Sequence, residues 1–399
     1  MTSDAYVFVE GLEQEPVICG RFWYDAQYRI GRFVYGQSWL ARGDAFALDP
    51  IHLPLTDQVQ TTRLHKGIFG VLHDAGADSW GRQLIGQLRK TKPQNELEYL
   101  IAGASMGVGA LTFSLSRSKV KPKVSRNSLD NLELLIAGKN SILKSERVSV
   151  EVKKAFQYGD SMGGARPKTV LQHQGQLYLI KFNRADDLMN IARVEHAAMS
   201  MLAELDGLDV AETEVIRGTE DILMIKRFDR QGIDVSHHFL SANSLLTEGA
   251  VSSESLATWY SYASLAEFLR KQSANPNDAT QLFKRMVFNA CIGNTDDHSR
   301  NHAVLYDLQA KSWRLSPAYD VLPINNHRQH ALGLGEQGRL ATVENLMSQC
   351  KRFGLQSYKA KRIIDDIVDV TKQWPDYFAK KGVAEGDLEL LRGVIPQLD

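Results

Sequence analysis

Cysteine is scarce in this sequence: Cys19, Cys291 and Cys350 are the only three, and no two stand in CxxC spacing. That argues against a disulfide framework and a zinc site, and it fits a chain working in the reducing cytoplasm. Long hydrophobic runs are also missing, none approaching the ~18 uninterrupted apolar residues of a membrane span. The opening MTSDAYVFVEG has no basic segment followed by an apolar one, so neither secretion nor a membrane association is expected. Nor does charge of one sign predominate. The 47 Lys and Arg balance 47 Asp and Glu, leaving no chain-wide positive field to draw it onto nucleic acid or an anionic membrane. Internal repeats and low-complexity tracts are absent, which removes solenoids and tail-driven functions.

What is present is ordinary globular composition, 43% hydrophobic and 24% charged, over 399 residues, room for two or three domains at about 150 residues each. Residues 5–55 are rich in aromatic and β-branched side chains broken by Gly11, Gly20, Gly31 and Gly36, the pattern of a strand meander. Phe22, Trp23 and Tyr24 read there as strand and core residues rather than a base-stacking platform. Trp80, Leu84 and Leu88 recur every four residues, a helical face, before AGASMGVGALTF suggests a turn and a strand. The basic RSKVKPKVSR has almost nothing to bury and reads as a linker. The expected organisation is therefore a β-rich domain at 1–116, a linker at 117–127, a second unit at 128–228 and a helical lobe at 229–399. The second unit holds the strand-like KTVLQH, QLYLIKF and DILMIKRF around the helical ARVEHAAMSMLAEL. In the lobe, Leu282, Met286 and Ala290 form one stripe, and Ile363, Ile367, Val370 and Trp374 another.

The segment GNTDDHSRN, 293–301, carries the most chemical information. Asp296 precedes Asn301 by five positions, a spacing that recurs in protein kinases, where the carboxylate accepts the proton of a substrate hydroxyl and the amide oxygen holds magnesium. Helix caps and turns use the same residue types, so the spacing alone leaves both readings open. Asp320 in LSPAYDVLP supplies a second hard oxygen ligand, or a turn aspartate. Lys181 stands in the apolar strand QLYLIKF with Glu195 fourteen residues on; a buried lysine needs a partner, and a helix glutamate together with ATP phosphates would provide it. Directly before lies SMGGARPKT, 161–169, whose glycines let main-chain N–H groups approach a phosphate while Lys168 adds charge; it matches neither GxxxxGK[ST] nor GxGxxG. His298 with His302 and His327 with His330 have metal-like spacing without HExxH, which favours structural roles.

Taken in order, SMGGARPK, LYLIKF, MIKRFDR, GNTDDHSRN and YDVLP resemble the HipA family of serine/threonine-protein kinase toxins over nearly the whole chain. The resemblance implies an α+β, protein-kinase-like two-lobed fold with a β-rich N-terminal domain and an α-helical C-terminal lobe. It implies ATP- and Mg2+-dependent phosphorylation of a protein serine, by family habit in an aminoacyl-tRNA synthetase, arresting translation and growth. It also implies a helix-turn-helix antitoxin of HipB type, through which the toxin reaches operator DNA and represses its operon. Carried over by position, Gly163, Gly164, Ala165, Arg166, Pro167 and Lys168 match the ATP-phosphate loop, Lys181 the phosphate lysine with Glu195 beside it, and Lys226, Arg227 and Phe228 the adenine hinge. Asp296 matches the proton acceptor; His298, Ser299, Arg300 and Asn301 match nucleotide and metal contacts; Tyr319 and Asp320 contain the second metal ligand. Ser161 matches the autophosphorylated serine, where a phosphate would eject the loop. A lipid or small-molecule kinase and a non-catalytic co-repressor remain alternatives.

Overall fold

The structure is a computed structural model that describes residues 2–398 except 90, 104–106, 121–126, 157–163, 248–259, 325–328 and 397. The chain opens with β1 (Asp4–Val9), β2 (Val17–Asp25) and β3 (Ile30–Tyr35), joined by β4 (Gln60–Thr62) and β5 (Leu111–Ser114) in an antiparallel sheet of order β4-β3-β2-β1-β5. Period-two alternation sends Phe22, Phe33 and Tyr35 into the core beneath Trp39 and Phe69. As expected of the meander, Phe22 and Tyr24 are core residues. Two short helices follow, each opened by a side-chain cap: Asp78 accepts from Ser79 N at the head of Ser79–Leu88, and Asn95 from Glu98 N at the head of Glu96–Ala102.

Asn127, the last residue of the expected linker, is buried rather than exposed. Its amide donates to the carbonyls of Ala155 (2.8 Å) and Val170 (3.0 Å), docking the chain onto the next sheet. That sheet comprises β6 (Lys168–His173), β7 (Gln176–Phe182), β8 (Thr213–Arg217) and β9 (Asp221–Lys226), antiparallel in the order β6-β7-β9-β8. Along β7 the faces separate cleanly. Tyr178, Ile180 and Phe182 pack with Trp80, Leu135, Ile136 and Phe156 against the Leu132–Leu143 and Val150–Phe156 helices, whereas Leu177, Leu179 and Lys181 point to the other side. The helix Ile191–Ala203 lies against β8 and β9, its buried stripe including Val194, Glu195, Ala198 and Leu202.

Beyond residue 229 the architecture is less purely helical than the sequence suggests. The hairpin β10 (Arg230–Gln231) and β11 (Asp234–Val235) leads to a three-stranded antiparallel sheet, β12 (His237–Ser241), β13 (Ala303–Asp307) and β14 (Ser312–Leu315). Strands of four or five residues in short apolar runs carry too little periodicity to be told from helix segments. The helices Tyr262–Gln272, Asp278–Cys291 and Ser357–Thr371 form the core of the lobe, with Leu282, Met286, Ala290 and Ile367 buried as their stripes require. No helix among the described residues is long and apolar enough to cross a membrane, and all three cysteines are buried and free.

The β-rich unit is anchored to the segment following β9 by a buried charge cluster. Asp229 binds Arg227 at Nε (3.0 Å) and Nη2 (2.7 Å), and Arg230 at Nη1 (2.7 Å). The guanidiniums in turn donate to the carbonyls of Gly107 and Gly109, while Gly109 N donates to Asp229 at 2.7 Å. Gly109 has φ +73, and a Cβ there would run into the backbone of Phe239, so only glycine allows this approach. Asp229 is held well below the usual carboxylate range: burial opposes ionisation, but the two guanidiniums overcome it. Asp229→Ala would strand two buried cations. A loss of about 3–5 kcal/mol is expected in urea unfolding, and a loss below about 1 kcal/mol would show that the cluster does not hold the two units together.

Candidate active site

The register of β6 and β7 sets Lys168 directly opposite Lys181. Two like charges facing each other across a strand pair repel, and both side chains are largely buried, so the arrangement is costly unless anions offset it. Two carboxylates meet Lys181. Its Nζ donates to Glu195 Oε1 at 2.7 Å and to Asp320 Oδ1 at 2.5 Å. Burial alone would lower the Lys181 pKa, but the charges of Asp320 and Glu195 raise it, so the ammonium stays protonated. Lys168 is less fully compensated: burial and the neighbouring Lys181 charge push it down to about 8. Asp320 opens onto the cleft and is held below the usual carboxylate range; desolvation works against this, and Lys181 and Lys168 outweigh it. Its φ of +60 is unusual for an aspartate and marks a backbone turned to aim the carboxylate at Lys181.

Gly164 closes over the Lys168 ammonium. With φ +98, a Cβ there would collide with Lys168 Nζ, so the glycine is what lets main chain pass so close to this charge. Arg166 of the same loop places both its Nη groups on Asp187, at 2.6 and 3.0 Å. Pro167 and Ser299 are buried beside the cleft rather than lining it, and Ser161 and Gly163 lie outside the described residues.

Opposite the lysines, the helix Asp278–Cys291 ends in the 293–301 loop. Asn289 on its last turn donates to Tyr262 Oη (3.0 Å), and Asn294 donates back to Asn289 Oδ1 (3.1 Å). Thr295 N and Oγ1 both donate to Ile324 O, at 3.1 and 2.6 Å, fixing this loop beside the segment that carries Asp320. The adjacent aspartates diverge. Asp297 is buried between Tyr262 and His302, whose Nε2 lies 3.0 Å away, whereas Asp296 is exposed to the cleft. His302 is thus buried against Asp297 and Tyr262; His298 lines the cleft with a buried Nδ1 that has no hydrogen-bond partner among the described residues.

One cleft of about 700 Å³ collects Gly164, Ala165, Arg166, Lys168, Lys181, Glu195, Lys226, Arg227, Phe228, Asp296, His298, Arg300, Asn301, Tyr319 and Asp320. Leu179, Ile225 and the paired rings of Phe228 and Tyr319, with centroids 5.5 Å apart, add apolar surface to the cleft, suited to a flat base. Arg227 lines the cleft with both its polar ends engaged elsewhere, its N donating to Leu177 O at 2.9 Å and its guanidinium to Asp229 and Gly107 O. The donor set suits magnesium: Asp320 and Asn301 offer hard oxygens, which phosphate oxygens and water would complete. His73, Asp74 and Asp78 also line the cleft from the β-rich unit. Sequence reasoning missed them, and no local spacing could have revealed them.

The fold is α+β, two-lobed and kinase-like. Family models for the HipA N-terminal domain and the HipA-like C-terminal domain match residues 14–114 and 160–374, and the chain belongs to the HipA family. The fold is similar to HipA in the complex of HipA, HipB and operator DNA from the Shewanella oneidensis MR-1 toxin–antitoxin system, with a TM-score of 0.71 at 16% identity over 98% of this chain and 95% of that one. In sequence, the chain is 29% identical over 192 residues to "Putative kinase Y4mE" of Sinorhizobium fredii, covering 44% of each. It is also 25% identical over 202 residues to a "Putative kinase" of Haemophilus influenzae, covering 45% of this chain and 57% of that one. The chain thus spans about half the length of the curated relatives it matches.

The neighbouring aspartates should behave oppositely in stability measurements. Asp296→Ala is expected to unfold within about 0.5 kcal/mol of the parent, and Asp297→Ala about 3 kcal/mol below it, since it strips the buried Tyr262 and His302 of their acceptor. Equal losses in heat or urea unfolding would contradict this division.

Proposed function

We infer that the chain is an ATP- and magnesium-dependent protein kinase acting on a serine or threonine hydroxyl. The observation carrying the reading is the convergence of the Lys181–Glu195–Asp320 ion cluster with Asp296 and Asn301 on one cleft. Lys181, kept charged and oriented by Glu195, faces the phosphates, and Lys168 under Gly164 adds a second cation. Asp296, free of other bonds to the described residues, accepts the proton of the acceptor hydroxyl as its oxygen bonds to the γ-phosphorus and ADP leaves. Asp320 and Asn301 would hold magnesium, which when bound neutralises phosphate charge. The residues contribute mostly positioning and charge, the main needs of phosphoryl transfer.

The protein acceptor is carried by family membership, and an aminoacyl-tRNA synthetase is its expected form, with inhibited translation and growth as the outcome. Autophosphorylation at Ser161 would switch the enzyme off. The fold likeness to HipA in a complex with HipB and operator DNA supports a helix-turn-helix antitoxin as partner in the cytoplasm, with operator contact made mainly through it.

Incubating the protein with γ-labelled ATP, magnesium and a cell extract should place label in protein, and Asp296→Ala should reduce transfer by roughly a hundred- to ten-thousand-fold. Label in lipid or a small molecule, or native transfer by the variant, would overturn the reading. A second test uses Lys168, half-neutral near pH 8 before any ligand binds. An anionic phosphate raises its pKa, so Mg-ATP binding should take up protons at pH 8 and not at pH 6, and affinity should fall as pH rises through 8. Calorimetry in buffers of different ionisation enthalpy reads this directly. Equal heats in all buffers at pH 8 would exclude Lys168 as a phosphate ligand.

A further inference from the structure

We propose that Asp78, on the β-rich unit, is a positioning residue that ties the phosphate loop to the loop carrying Asp296. The inference rests on the kinase reading of the cleft. Asp78 Oδ2 accepts from two donors far away in sequence: Gly164 N at 3.1 Å and Arg300 Nη1 at 2.7 Å. Its Oδ1 accepts from Ser79 N at 2.8 Å and caps the Ser79–Leu88 helix. Trp80, in the same first turn, secures this loop as well, its backbone N donating to Gly164 O at 3.3 Å and its indole Nε1 to Lys168 O at 2.8 Å. Gly164 is thus bonded at both its N–H and its carbonyl by residues 78–80. Arg300 is anchored in turn, Tyr319 Oη donating to its carbonyl at 2.8 Å.

A single carboxylate oxygen therefore spans the cleft between the glycine above Lys168 and the loop of Asp296 and Asn301, and it is supplied by neither kinase lobe. Such a bridge orders the phosphate loop before nucleotide arrives. Without it, ATP must do the ordering, which reduces apparent affinity by the fraction of molecules already ordered and leaves the assembled complex unchanged. The signature is a raised KM for ATP with kcat retained.

The test uses the full chain and two substitutions. Asparagine has a single acceptor oxygen: kept on Ser79 N it still caps the helix, and its NH2 group then stands where Oδ2 accepted from Gly164 N and Arg300, so Asp78→Asn spares the cap and removes the bridge. Asp78→Ala removes every contact. The expected KM for ATP rises about tenfold in Asp78→Ala and by a comparable factor in Asp78→Asn, which keeps the cap, with kcat within about twofold of the parent. Adding Arg300→Ala to Asp78→Ala should cost less than the sum of the two single effects. Amide hydrogen exchange of the segment from Gly164 to Lys168, followed without nucleotide, should accelerate in Asp78→Ala. If both variants keep the parent KM and exchange rate and only Asp78→Ala melts earlier, Asp78 is a helix cap and the proposal fails. A parent that transfers no phosphate would overturn the kinase reading, whereas unchanged exchange in Asp78→Ala would overturn the bridge itself.

Discussion

The structure turns on one buried ammonium. Lys181 points from the second strand of the β6–β9 sheet into a cleft, directly opposite another lysine, and two carboxylates from distant parts of the chain make this tolerable. Glu195 arrives on the helix packed against β8 and β9, and Asp320 on the segment that follows β14. Each is bound by the same Nζ, so the position of that nitrogen relates the sheet, the helix and the lobe to one another. A charge trio of this kind contributes little net stability against its desolvation, and its value lies in specifying geometry at a site where charge must later be met.

The surrounding elements hold that geometry from three sides. The helical lobe fixes the Asp296 loop through Asn289, Asn294 and Thr295, a chain of buried amide and hydroxyl bonds that leaves Asp296 itself facing the cleft. The sheet supplies Lys168, and the loop leading into it supplies the glycine that covers it. The β-rich unit docks through the Asp229 cluster and adds His73, Asp74 and Asp78 to the wall. A two-lobed site thereby acquires a third contributor, and its architecture ties the N-terminal unit to the chemistry rather than leaving it an appended module.

Much of this was legible in the residues. A lysine within an apolar strand is an anomaly that demands a partner, and Glu195 and Asp320 both prove to be partners. The Asp-Asp pair could be read only by spacing, which favoured Asp296, and the structure leaves Asp296 in the cleft while burying Asp297. Arg227 shows the limit of a local motif: its neighbours line the cleft, but its guanidinium serves Asp229 and Gly107, a contact spanning 120 positions that no periodicity encodes. Asp78, which the sequence reading passed over, caps a helix, and its second oxygen reaches residues 86 and 222 positions away, contacts that no local pattern encodes. The β12–β14 sheet was hidden because its strands are too short to show a period.

The central claim is that Lys181, Asp320 and Asn301 surround the phosphates of a nucleotide and its divalent ion. A crystal structure with a non-hydrolysable ATP analogue and Mn2+ tests it most directly. The account predicts an anomalous peak coordinated by Asp320 and Asn301 oxygens, with Lys181 still paired to Glu195 and touching a phosphate. A nucleotide bound elsewhere on the chain, or manganese with neither residue among its ligands, would contradict it.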